Sequence, residues 1–191
     1  DAESANRHGY SRHKPALPLY SEHDARRTLP QFRTLPFDTV TEVAQGVTAL
    51  YRRAGHILGA ASIEVRAGGQ TIVFSGDIGR YDDPIMLDPA PVEHADYLLV
   101  ESTYGDRRHE RTDPEKLLDD LISGIVRRGG TVIIPAFAVG RAQGLLFYLS
   151  KLRSKGRLLN VPVFLDSPMA VDASEILCRH PEDQRLSQDA C

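Results

Sequence analysis

Two hydrophobic periods run through this chain, and the change from one to the other constrains its fold more than any other feature. Between Val40 and Phe74 the apolar positions recur at strand spacing. Val47–Tyr51 is one candidate strand, and Ile63-Glu64-Val65-Arg66 alternates apolar and polar as a half-buried strand does. Gly68-Gly69 follows as a hairpin signal, and Thr71-Ile72-Val73-Phe74 reads as the return strand. Tyr97-Leu98-Leu99-Val100 is a further apolar run, too short for a helix. From residue 112 the pattern becomes helix alternating with strand. Thr112-Asp113-Pro114-Glu115 has capping-box spacing with proline inside the first turn. Leu117, Leu118, Leu121, Ile122, Ile125 and Val126 then share one helical face, which Gly129-Gly130 closes. Thr131–Pro135 and Val161–Leu165 read as strands. Val139–Leu152 and Met169–Leu177 read as helices. Such alternation predicts a parallel sheet. The chain is therefore expected to be α/β (α+β), with two units meeting near Gly105–Arg111.

The first 40 residues lack either period. Ser21 and Asp24 are spaced as a cap and its partner, and Pro30 and Pro36 end the segment that follows. The region reads as an extended arm with one helix. With 23 Lys and Arg against 26 Asp and Glu, the net charge of −3 excludes a strongly basic nucleic-acid glove, though not a local basic groove. No apolar run approaches the roughly 18 residues of a membrane helix. Cys178 and Cys191 cannot make a disulfide framework, so a reducing compartment, the cytoplasm, is the expectation. The chain opens on Asp1 rather than Met and ends on Cys191, and is expected to be a piece of something longer.

Three sites carry chemistry. In Ala54-Gly55-His56-Ile57-Leu58-Gly59 a histidine stands between small residues just after a strand, where one ring nitrogen can bind a metal. In Phe74-Ser75-Gly76-Asp77-Ile78-Gly79 an apolar strand delivers a carboxylate, suited to bridging metals or to general-base work. In Val100-Glu101-Ser102-Thr103-Tyr104 a strand delivers a second carboxylate and three hydroxyls. Taken singly, His56 reads as a core or turn histidine and Gly76-Asp77 as turn chemistry. Together they stand after three strand ends, where ligands gather in open sheets.

These segments occur in order with Ile134-Pro135-Ala136-Phe137-Ala138-Val139-Gly140-Arg141-Ala142-Gln143 and Leu165-Asp166-Ser167-Pro168-Met169-Ala170. The set resembles the β-CASP branch of the metallo-β-lactamase superfamily, which includes ribonuclease J and the cleavage-and-polyadenylation endonuclease. The resemblance covers about residues 1–180, and five ordered motifs make it specific. It implies part of an αββα sandwich over 1–106, followed by the first part of a Rossmann-like β-CASP domain over 107–191. It implies zinc-dependent cleavage of RNA, or of DNA in some members, by a metal-activated water. By position, His56 matches a zinc ligand and Asp77 the carboxylate bridging two zincs. Glu101 matches a carboxylate that orients a later histidine. Asp77 and Glu101 are thus the candidate catalytic carboxylates, and His56 and Asp77 the candidate metal ligands. Arg141 and Ser167, at the starts of two helices, are candidate contacts for RNA phosphates.

The sequence also departs from that pattern. The family's main metal motif, His-x-His-x-Asp-His, is absent, and His8 and His13 are five apart with no aspartate between them. His94-Ala95-Asp96 stands in the wrong order to be a ligand motif and reads as a solvent-facing turn. His23, His109 and His180 read as solvated, and Arg107, Arg108 and Arg111 as a basic linker. Catalytic zinc usually has three protein ligands, and this chain offers two. The expectation is a segment of a longer nuclease, inactive alone and binding zinc weakly. Its opened sandwich would expose apolar sheet surface and favour a homo-oligomer. The alternative is a non-catalytic β-CASP paralogue that binds or scaffolds RNA, and a small-molecule hydrolase of the same superfamily ranks below both.

Overall fold

A computed structural model describes residues 2–108, 112–158 and 160–191. The chain is mixed α/β and divides into two compact units, Asp1–Pro36 and Phe37–Cys191.

In the first unit the expected arm with one helix has two. Helix α1 spans Ala2–His8, and α2 spans Glu22–Thr28. Ser21 caps α2 as its spacing suggested: its hydroxyl accepts from the Asp24 amide at 3.2 Å, while the Asp24 carboxylate accepts from the Ser21 amide at 2.9 Å. Beyond α1, Asn6 ties the chain down by bonding both backbone groups of Ala16.

The second unit holds a five-stranded sheet in sequence order: β1 (Thr41–Ala44), β2 (Val47–Arg53), β3 (Ala61–Ala67), β4 (Gln70–Phe74) and β5 (Tyr97–Leu99). The first four strands run antiparallel, and β5 pairs parallel to β4. Strand β1, an edge strand bulged between Glu42 and Ala44, carries too little alternation to be read from sequence. The β3–β4 turn needs its glycines, since Gly68 and Gly69 sit at φ of 56° and 78°. The register puts Leu50, Glu64, Val73 and Leu98 in one row across the sheet. The opposite face carries Ile63, Val65, Ile72, Phe74, Tyr97 and Leu99 by the pleat alternation. None of these six is buried, and Tyr97 and Leu99 are more than half exposed.

Helices α3 (Pro114–Val126), α4 (Arg141–Ser154) and α5 (Pro168–Cys178) follow. The cap of α3 is Asp113, not Thr112: its carboxylate accepts from the amides of Glu115 and Lys116, and Pro114 takes the first helical position, where a missing N–H costs nothing. Helix α3 is joined to α4 by the ion pair of Glu115 with Lys151, and to the turn after α4 by those of Glu115 with Lys155 and Asp119 with Arg157. The strands expected at Thr131–Pro135 and Val161–Leu165 do not form among the described residues. Neither stretch forms a regular element, and Ile133 and Phe164 are each 87% exposed. β-branched composition makes a segment fit for a ladder but does not supply the neighbouring strand.

A core cluster packs α4 and α5 against the loops that flank the sheet, through Ile85, Met86 and Leu177, with Leu58, Phe147 and Leu186 packed against them. Arg185 fastens the same junction: its amide donates to the Ile85 carbonyl at 2.7 Å, and its guanidinium to the Met86 carbonyl and the Asp88 carboxylate. Cys178 and Cys191, read from sequence as thiols of a reducing compartment, are paired, with Cα atoms 5.5 Å apart. No described helix is long and apolar enough to cross a membrane.

Candidate functional site

Strands β2, β4 and β5 all point the same way, because β3 reverses between β2 and β4 while β5 runs parallel to β4. The loops after them therefore emerge at one end of the sheet. Those loops carry His56, Asp77 and Glu101.

Backbone bonds lock the three loops to each other. The Gly79 amide donates to the Ala54 carbonyl at 2.8 Å, and the Ser75 amide to the Leu99 carbonyl at 2.9 Å. Gly79 lies against the His56 loop so closely that a Cβ there would meet the Gly55 carbonyl oxygen at 1.9 Å and the His56 nitrogen at 2.7 Å. Glu101 completes the tie, its carboxylate accepting from the Ile78 amide at 3.3 Å and the Thr103 amide at 3.0 Å. Its carboxyl is held below the usual carboxylate range, mainly by the backbone and hydroxyl of Thr103, then by the Ile78 amide and, more weakly, the charge of His56. One Glu101 side chain thus organises the loop that presents Asp77.

Ser75 and Ser62 were missed by sequence reasoning. Buried Ser75 accepts from the Glu101 amide at 2.9 Å and donates to the Gly76 carbonyl. Buried Ser62 donates to the Ser75 carbonyl at 2.8 Å. The one available signal was the hydroxyl in Phe74-Ser75-Gly76-Asp77, at the point where the strand ends.

His56 and Asp77 are exposed at the mouth of this loop cluster. An imidazole and a carboxylate form a donor pair suited to zinc. Yet among the described residues no three His, Cys, Asp or Glu side chains converge to hold a metal ion. The residues present supply two donors and do not make a metal centre by themselves. His94 is exposed, but its neighbour Asp96 is engaged with β4, its carboxylate accepting from the Thr71 amide at 2.7 Å and its amide donating back to the Thr71 carbonyl. His23 is exposed, His180 pairs with Glu182, and His109 and Arg111 lie outside the described residues. Arg107 pairs with Asp106 and lies over the Tyr104 ring, as an exposed linker residue.

The start of α4 also reaches the site. Gly140, at φ 80°, comes so close to the His56 loop that a Cβ would meet the Ile57 side chain at 3.2 Å. Arg141 is exposed at that turn, and Ser167 caps α5 by accepting from the Ala170 amide.

The Beta-Casp domain model matches residues 142–191. Among curated proteins, the transcription termination factor FttA of Cenarchaeum symbiosum is 35% identical over 173 residues, covering 87% of this chain and 26% of that protein. An RNase J-like protein of Methanocaldococcus jannaschii is 34% identical, covering 78% of this chain and 37% of that protein. Cleavage and polyadenylation specificity factor 73 of Drosophila melanogaster is 37% identical, covering 80% and 22%. The chain thus spans between 22% and 37% of the length of these three relatives.

Proposed function

Because the chain belongs to the β-CASP family of the metallo-β-lactamase superfamily, we propose that it is part of a metal-dependent ribonuclease, a hydrolase of RNA phosphodiester bonds. The observation that carries this reading is the interlocked end of the sheet, where His56, Asp77 and Glu101 emerge from three loops bonded to one another. Relatives named as RNase J-like protein and as a cleavage and polyadenylation factor support RNA as the substrate class.

In this reading residues 1–106 belong to the metallo-β-lactamase domain and 107–191 to the β-CASP domain. His56 and Asp77 would hold zinc, as two of the donors that such a centre needs. When bound, zinc supplies Lewis acidity toward water and phosphate oxygens near neutral pH. Glu101 holds the Ile78 and Thr103 amides and so keeps the Asp77 loop aimed. Arg141 and Ser167 face the RNA phosphates.

The test uses the full-length protein with labelled RNA and, in parallel, single-stranded DNA. Cleavage of RNA that stops on chelation and returns with zinc is expected. RNA binding without cleavage at any metal concentration would replace this reading with that of a scaffolding paralogue. The 191-residue chain by itself is expected to hold less than stoichiometric zinc and to cleave nothing, and stoichiometric zinc with turnover would overturn that part. We also propose that the isolated chain self-associates through the apolar sheet face of Ile63, Val65, Ile72, Phe74, Tyr97 and Leu99. Light scattering should then give a mass above the 21.1 kDa of one chain. A strictly monomeric mass across concentrations would refute it.

A further inference from the structure

We propose that Gln143 is a positioning residue of this site, an inference that rests on the nuclease reading and deepens it. Gln143 is a buried amide on the otherwise apolar inner face of α4. Its side-chain nitrogen donates to the Ala138 carbonyl at 3.0 Å, the Ala170 carbonyl at 3.3 Å and the Ser174 hydroxyl at 3.0 Å. Ser174 in turn donates to the Ala170 carbonyl at 2.7 Å. One carboxamide therefore holds the turn that opens α4 to the first turn of α5. Small residues permit the close approach, since Ala142 and Ala170 are both buried.

What that clasp holds is the reason to assign it a role beyond packing. The turn from Ala138 to Gly140 leads directly into exposed Arg141, and its Gly140 lies against Ile57, the residue next to His56. No side-chain hydrogen bond joins Gln143 to Arg141 or to His56 among the described residues. Gln143 fixes the turn between them, and so sets the spacing of a cationic RNA contact from a metal-binding loop. The Ala170 carbonyl also takes the Ser174 hydroxyl, so a residue that cannot donate here costs the Ala138 carbonyl its side-chain partner and releases the α4 turn from α5.

Glutamate is the discriminating substitution, because it keeps the shape and leaves at most one donor in place of two. In the full-length protein Gln143→Glu is expected to raise KM for RNA about tenfold, the lower end of what loss of such a supporting partner does, while kcat stays within about threefold. Arg141→Ala should reproduce the KM effect. A merely structural Gln143 would instead reduce the amount of folded enzyme, lowering apparent kcat and the melting temperature with KM unchanged, and that result overturns the proposal. Should Gln143→Glu not fold, Gln143→Met removes both donors without adding a charge and is expected to shift KM in the same direction; an unchanged KM there also overturns it. A second readout does not depend on RNA. In protein labelled at isoleucine methyls, Gln143→Glu should move the Ile57 resonance, because Ile57 lies against the Gly140 turn that Gln143 holds. If the full-length protein neither binds nor cleaves RNA, the nuclease reading fails while the Ile57 shift still decides the clasp; an unmoved Ile57 methyl sinks the clasp even in an active nuclease.

Discussion

Alanine at Gly79 is expected to destabilise the sheet-bearing unit by about 3 kcal/mol or more, at the top of the range for overpacking a buried site. The added methyl would sit 1.9 Å from the Gly55 oxygen, 2.2 Å from its carbonyl carbon and 2.7 Å from the His56 nitrogen. All three are backbone atoms, so no side chain can rotate away. Nor can the His56 loop retreat. Gly55 is itself at φ 70°, and on its other side the Leu87 oxygen and Pro89 nitrogen lie 2.7 and 2.9 Å from where its own Cβ would be. Separating the loops would also break the Gly79–Ala54 hydrogen bond. Relief must come from moving the whole His56–Asp77 loop pair, which ties the fold defect to the candidate site. Gly144→Ala is the internal control. Gly144 lies within α4, where an added methyl would meet nothing within 4 Å, and alanine there should stabilise by roughly 0.5–1 kcal/mol. Urea melts of the two variants should therefore move in opposite directions, and a Gly79→Ala midpoint equal to wild type would refute the steric argument.

Local chemistry was legible in the sequence, and long-range partnership was not. Alternation at Ile63–Arg66, the paired glycines at 68 and 69, and the Ser21–Asp24 cap each encode their structure within a few residues, and each is present. The placement of His56, Asp77 and Glu101 was legible for the same reason: each follows its strand directly, and the strand directions bring the three loops together. Thr131–Pro135 has the composition of a strand, but a ladder needs a second segment beside it, and composition does not say where that segment is. Gln143 was invisible as a clasp because its three acceptors lie 5, 27 and 31 residues away, two of them on a neighbouring helix. Ser75 was passed over because a serine at a strand end looks like any turn residue until its partner, the Glu101 amide 26 residues on, is known. The Cys178–Cys191 pairing is the same kind of case, since a count of two says nothing of proximity.

On the nuclease reading, Asp77→Ala and Glu101→Ala should separate chemistry from architecture in the full-length protein. Asp77 is exposed, and its side chain makes no hydrogen bond or ion pair among the described residues. Its loss should leave stability within about 0.5 kcal/mol of wild type, while RNA cleavage falls by more than the roughly 10–100-fold seen when only a ligand's supporting partner is removed. Glu101→Ala should do the reverse in proportion. It strands the Ile78 and Thr103 amides, lowers the melting temperature, and costs cleavage about 10–100-fold through the loosened Asp77 loop. The pH dependence gives a second handle. The Glu101 carboxyl is held below its ordinary range in the fold, led by the bonds from Thr103, so the unfolded chain binds its proton more readily. The stability it contributes is fully present above the unfolded value and is lost as pH falls through the folded one. Wild type should therefore lose more stability on acidification than Glu101→Gln, in which that proton equilibrium is gone. Equal acid sensitivity in the two proteins would mean that the Glu101 tie does not hold the loops in solution. A stable, inactive Asp77→Ala beside a less stable, partly active Glu101→Ala is the pattern that assigns the first residue to the reacting centre and the second to its support.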